Sequence, residues 1–104
     1  MVDKKPGLYA KLAKAYPKYV AAVESLGEAV THAGPLDEKS LQLIQLAAAA
    51  ASRSEGAVHS HARRALRAGA TPAEIHHALI ALTSTIGFPN VTAALSWVDD
   101  LMTP

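Results

Sequence analysis

Apolar and polar residues alternate along this chain with helical period almost everywhere, and the strand period of two is nearly absent. A short helix is predicted around Leu8 to Ala15. "PKYVAAVESLGEAVTHAG" then sets Val20, Val23, Gly27 and Val30 on one stripe, with Pro17 at a first helical position and Gly34 past the end. Asp37 is a good N-cap for "LDEKSLQLIQLAAAAASR", and Glu38 suits its first turn. From Leu43 to Ala51 that helix is apolar all round except at Gln45, the pattern of a helix buried on most sides. Ser54 is the expected cap of the next helix, which carries a core stripe of Val58, Ala62, Ala65, Leu66 and Gly69 and stops at Gly69. Thr71, Pro72 and Glu74 form a complete capping-box signature for one helix running to Ile86, with Ile75, Leu79, Leu82 and Ile86 inward. After Gly87, Pro89 opens a last helix striped by Val91, Ala94, Leu95, Val98 and Met102. The prediction is an all-α compact bundle of five to six helices with short loops, a single domain over 1–104.

Composition narrows the function. A chain of 104 residues, 50% hydrophobic, supports one modest core and gains from burying more surface in an oligomer. Ten basic and nine acidic residues leave a net charge of +1, which argues against nucleic acid as the main partner. The basic clusters Lys4–Lys5–Lys11–Lys14–Lys18 and Arg63–Arg64–Arg67 have no aromatic platform beside them and suit solvated helix faces. Without cysteine there is no disulfide, thiolate metal site or thiol redox chemistry. "MVDKKPGLYAK" lacks an apolar signal core, and "LIQLAAAAA" is too short to span a bilayer, so a cytoplasmic protein without a membrane partner is expected.

The chemistry concentrates in "SEGAVHSHARRALRAG", Ser54 to Gly69. At about 100° per residue, His59 and His61 diverge by roughly 160° and cannot together ligate one metal. Glu55 falls within the apolar arc of the first turn, one turn before His59, and burial there would raise its pKa. A first-turn glutamate equally suits dipole compensation, and a flank histidine equally suits packing. His77 projects away from its stripe towards solvent or an interface, alongside its neighbour His76. His32 sits in a last helical turn, where a cation is welcome. No "HExxH" pattern is present, and neither a cofactor nor a metal within one chain is expected.

The pattern "His-x-x-x-Ala-Leu-x-Ala-Gly-Ala-Thr-x-x-Glu-Ile" at His61 to Ile75, followed by Gly87–Phe88–Pro89, resembles the carboxymuconolactone decarboxylase family, which includes the alkyl hydroperoxidase D proteins. The resemblance is strongest over 36–95. It implies a central antiparallel helix pair and assembly into trimers or hexamers with sites near subunit contacts. The hydroperoxidase branch carries two cysteines where this chain has Ser54 and Ala57, and a relay glutamate where it has Gln42. Only His61 of that set is retained. The decarboxylase branch tends to have an acidic residue at the position of Ala57. Thiol peroxidase chemistry is thereby excluded, since neither serine nor alanine forms a sulfenate or disulfide.

Three functions follow as expectations. The first is a decarboxylase-like lyase acting by proton transfer on a small organic acid or lactone. In it His61 is the acid or base, Glu55 orients or relays, and His59 or Gln42 completes a pocket opened by Ser54, Gly56 and Ala57. The second is a non-catalytic homo-oligomer that binds a small ligand or a partner in that pocket. The third is a metal site between subunits, built from Glu55, His59 and a histidine such as His77 of a neighbour.

Overall fold

A computed structural model of the chain describes residues 7–102. Those residues form six helices of two turns or more and one single-turn segment, with no strand among them. The helices are α1 (Gly7–Ala15), α2 (Pro17–Thr31), α3 (Glu38–Ala51), α4 (Glu55–Arg67), α5 (Pro72–Ile80), the single-turn α6 (Thr83–Ile86) and α7 (Phe88–Met102). No helix among the described residues is long and apolar enough to cross a membrane.

The chain divides into two compact units, one ending at Pro35 and one beginning at Leu36. In the first, α1 and α2 pack side by side, and the Tyr9 hydroxyl donates to the Glu24 carboxylate between them. Pro17 stands at the head of α2, where its missing N–H leaves no bond unmade. His32 caps the other end, its Nδ1–H donating to the Glu28 carbonyl at 2.9 Å. Of the predicted α2 stripe only Val20 is buried, while Val23 and Val30 are exposed. A unit of two short helices has too little surface to cover a whole stripe.

In the second unit α3 and α4 form the largest helix contact, and α5 and α7 complete the core. Leu46, Ala49 and Ala50 of α3 meet Val58, Ala62 and Ala65 of α4 in one buried cluster with Ile75, Leu79, Ala94 and Val98. The alanines keep the facing surfaces of α3 and α4 small, which suits close packing. Burial of α3 on most sides is not found within one chain, since Ile44 and Ala48 face outward.

Both ends of this pair are closed by the same device. After α3, Arg53 N–H donates to the Ala50 carbonyl and Ser54 N–H to the Ala49 carbonyl, each at 3.0 Å. After α4, Gly69 N–H reaches the Leu66 carbonyl at 3.1 Å and Ala70 N–H the Ala65 carbonyl at 2.9 Å. Each pair of bonds is a Schellman motif, which needs a left-handed residue at its centre. Gly69 supplies φ 100° freely; Arg53 adopts φ 58° against its own preference.

Ser54 does not cap α4 through its side chain, contrary to expectation. Its backbone closes the α3 terminus, leaving three residues to join two packed helices. The caps predicted at Asp37 and Thr71 are both made. Asp37 accepts from Ser40 N–H at 2.7 Å. Thr71 and Glu74 exchange both bonds of the capping box, and Lys39 of α3 reaches the same Glu74 carboxylate at 3.0 Å. The helix expected to run unbroken to Ile86 is interrupted after Ile80. There the Thr83 hydroxyl donates to the Ile80 carbonyl at 2.7 Å, a local bond that competes with helix continuation.

Candidate functional site

α4 carries the candidate residues, and its three core positions fix which way each one points. Val58, Ala62 and Ala65 are fully buried, so the residues between them flank the core on either side. His61 turns towards α3, where its Nδ1–H donates to Gln42 Oε1 at 3.0 Å. His59 turns to the opposite flank, where its Nε2–H donates to the Trp97 carbonyl of α7 at 2.9 Å. The divergence read from the helical wheel is therefore present as two contacts with different helices.

The His61 contact has chemical consequences. A ring that donates through Nδ1 carries its lone pair on Nε2, so one tautomer of the neutral base is selected. Gln42 is buried at 5% exposure and remains neutral, so it orients the ring without exchanging a proton. Burial holds the His61 pKa below its ordinary 6.5, and the positive charge of Arg64, one turn on, acts in the same direction. Near neutral pH the imidazole is therefore an unprotonated base with a preset orientation.

The Glu55 contact is of another kind. Its carboxylate lies 3.9 Å from His59 Nε2, while that nitrogen's single N–H in the neutral ring is directed at Trp97. The Glu55 side chain is 58% exposed, so the buried carboxylate expected from the wheel is not found. A residue on the first turn projects beyond the packed part of the helix, and position on the apolar arc does not bury it there. The structure brings Glu55 to His59 and Gln42 to His61, and not Glu55 to His61.

Ser54 is exposed and Ala57 packs partly against the core. A Cβ added to Gly56 would meet nothing within 4 Å, so no other helix among the described residues presses against it. His77 is exposed at the end of α5, and His76 is half-buried. Among the described residues no group of three or more histidines and carboxylates is placed to hold a metal ion. Two participants escaped the sequence reading. Arg64 is exposed, as expected of a solvated face, and its place one turn after His61 also brings its charge to bear on the ring. The Trp97 carbonyl gave no signal, because any residue offers the same backbone oxygen.

No solved structure matches the chain. An uncharacterized protein of Haemophilus influenzae is 41% identical over 57 residues, which cover 55% of this chain and 50% of the relative. The match therefore spans about half the length of that curated protein. The family model for the carboxymuconolactone decarboxylase family matches residues 17–100, taking in α2 to α6 and most of α7. With that match extending over most of the sequence, and with no cysteine anywhere in it, the chain belongs to the carboxymuconolactone decarboxylase family as a cysteine-less variant.

Proposed function

We propose that this protein is an acid–base enzyme of its family, moving a proton on a small organic acid or lactone with His61 Nε2 as the base. The observation that carries the reading is the 3.0 Å bond from His61 Nδ1 to buried Gln42, joined to a pKa held below the ordinary histidine value. In this reading Nε2 takes a proton from the substrate and returns it to the product in a later step, so the ring ends neutral. Gln42 acts through the orientation of His61 and is a positioning residue. Ser54 and Ala57 lend room beside the helix start. Glu55 and His59 form a separate pair that borders the site, with Glu55 in reach of solvent. We further propose that the chain works as one domain and that copies assemble around the site.

The test is turnover of a panel of small lactones and organic acids by the whole chain, followed by loss of carbon dioxide or by proton exchange with heavy water. His61→Ala is expected to abolish any activity found, and Gln42→Leu to reduce it; full activity in His61→Ala ends the proposal. A second reading, a non-catalytic ligand-binding oligomer, is favoured by one specific observation. Glu55 is engaged with His59 and not with His61, so the relay implied by the family resemblance has no acidic member at this site. Tight binding of a panel member by native protein and by His61→Ala alike, with no turnover, selects that reading.

A further inference from the structure

The exposed side of α2 carries a pattern that a free surface does not need. Tyr16, just ahead of the helix, and Tyr19, Val23, Leu26 and Val30 within it recur at alternating steps of three and four residues. That is the a/d repeat of a two-helix seam. All five are exposed, at 61%, 61%, 50%, 65% and 48%. We propose that this seam packs antiparallel against the α2 seam of a second copy of the chain, across a two-fold axis at Val23.

Four features select that occupant. The five residues present on the order of 500 Å² of largely apolar surface per copy, so a symmetric pair buries at most about 1,000 Å² through them, the lower edge of a specific interface. A patch of this size is at the upper end of what a monomer exposes, and such patches are often functional. The positions flanking the seam are Val20, Ala22, Gly27 and Ala29, none of them charged, so two identical faces meet without like-charge repulsion. Lys18, Glu24 and Glu28 lie on the other side of the helix. Gly27 has open space where a Cβ would stand, so a partner helix can approach closely there. Finally, the seam is bulky at one end and slim at the other. An antiparallel pair sets Tyr16 and Tyr19 against Val30 and Leu26 of the second copy, large against small, where a parallel pair would stack tyrosine on tyrosine.

α1 leaves the seam open. Its Tyr9 bonds to Glu24, roughly 120° round α2 from the row of apolar residues. A two-fold contact of this kind belongs to a dimer or to a hexamer of two trimers, and not to an isolated trimer. The inference deepens the proposed assembly and is independent of the chemistry assigned to His61, so either can fail alone.

With no cysteine in the sequence, the chain itself allows a direct test. Under mild oxidation Val23→Cys is expected to form a disulfide-linked dimer. A mixture of Tyr16→Cys and Val30→Cys is expected to give mostly the mixed disulfide, and Ser25→Cys, on the far face, to stay unlinked. By sedimentation, Val23→Glu is expected to weaken association by about 100-fold through like charges meeting at the axis. Mixing it with Val23→Lys restores association, and unchanged helical circular dichroism in both variants sets misfolding aside. The proposal is overturned by a native chain that sediments as a monomer at micromolar concentration. It is equally overturned by self-disulfides at Tyr16→Cys that outnumber the mixed product, or by linking at Ser25→Cys as efficient as at Val23→Cys.

Discussion

Replacing Gln42 by glutamate converts the neutral partner of His61 into a charged one with almost no change in shape. The Gln42 oxygen lies 3.0 Å from Nδ1, so a carboxylate in its place puts a negative charge in hydrogen-bond contact with the ring. Charge centres some 4 Å apart attract by about 4 kcal/mol at an effective dielectric of about 20, an upper limit near three pK units. Two effects reduce it. The new carboxylate occupies a site that leaves Gln42 only 5% exposed, and it bears its own desolvation there. His61 remains partly open to solvent, which screens the pair. The net expectation for Gln42→Glu is a rise of about 1–2 units in the His61 pKa from its lowered value. The assay is an NMR titration of the His61 ring protons, with His61→Gln identifying the signal. If His61 is the base, the acid limb of kcat/KM moves up in pH by the same amount, and activity at pH 6 falls. A ring pKa that stays put or falls refutes the contact. A ring that shifts while the acid limb does not removes His61 as the base.

Other consequences are expected of the same structure. Native protein loses stability as pH falls below 6.5 towards the lower His61 value of the folded state, because the unfolded chain takes up the proton first; His61→Gln flattens that part of a denaturation-versus-pH profile. Asp37, lowered by hydrogen bonds from Ser40, and Glu74, lowered by its bonds from Thr71 and Lys39, contribute stability above about pH 4 to 4.5 that is lost on further acidification. Arg53→Gly is expected to raise the urea midpoint, by about 1 kcal/mol of stability, because glycine adopts the left-handed geometry of the turn without strain. Thr71→Ala is expected to destabilise by about 1 kcal/mol through loss of one half of the capping box, with calorimetry as the check.

The core was readable from periodicity because burial and the helical wheel are set by the same 3.6-residue repeat. Val58, Ala62, Ala65, Ile75, Leu79, Ala94 and Val98 all lie on predicted stripes and are all buried. The caps at Asp37 and Thr71 were readable because each needs only a side chain and a backbone N–H three residues away. Ser54 has the same local pattern, yet the Schellman turn before it decides its geometry, and a preceding helix is invisible in a cap signature. Glu55 shows a related shortfall. The wheel gives its angle around the axis, while its exposure depends on how far the neighbouring helices extend past the first turn. The stripe on α2 has the same periodicity, yet Val23 and Val30 are exposed. Hydrophobic periodicity reports which residues share a face, and burial of that face depends on what packs against it.

The partner of His61 follows from the same constraint as the core. In the α3–α4 pair, the three residues at 52–54 leave one register in which Leu46, Ala49 and Ala50 meet Val58, Ala62 and Ala65. That register also sets position 42 opposite position 61. The geometry at His61 is therefore inherited from core packing, and needs no binding energy of its own to persist when its chemistry changes. With an acid at position 42, as the family resemblance implies for the hydroperoxidase branch, the ring would be coupled to a proton acceptor and its pKa raised. With glutamine the orientation survives and the coupling does not, so burial and the Arg64 charge are left to hold the pKa down. A chain without cysteine has no thiolate to activate, and the proposed function asks only for a neutral, oriented base. The Gln42–His61 pair has the geometry that such a role needs.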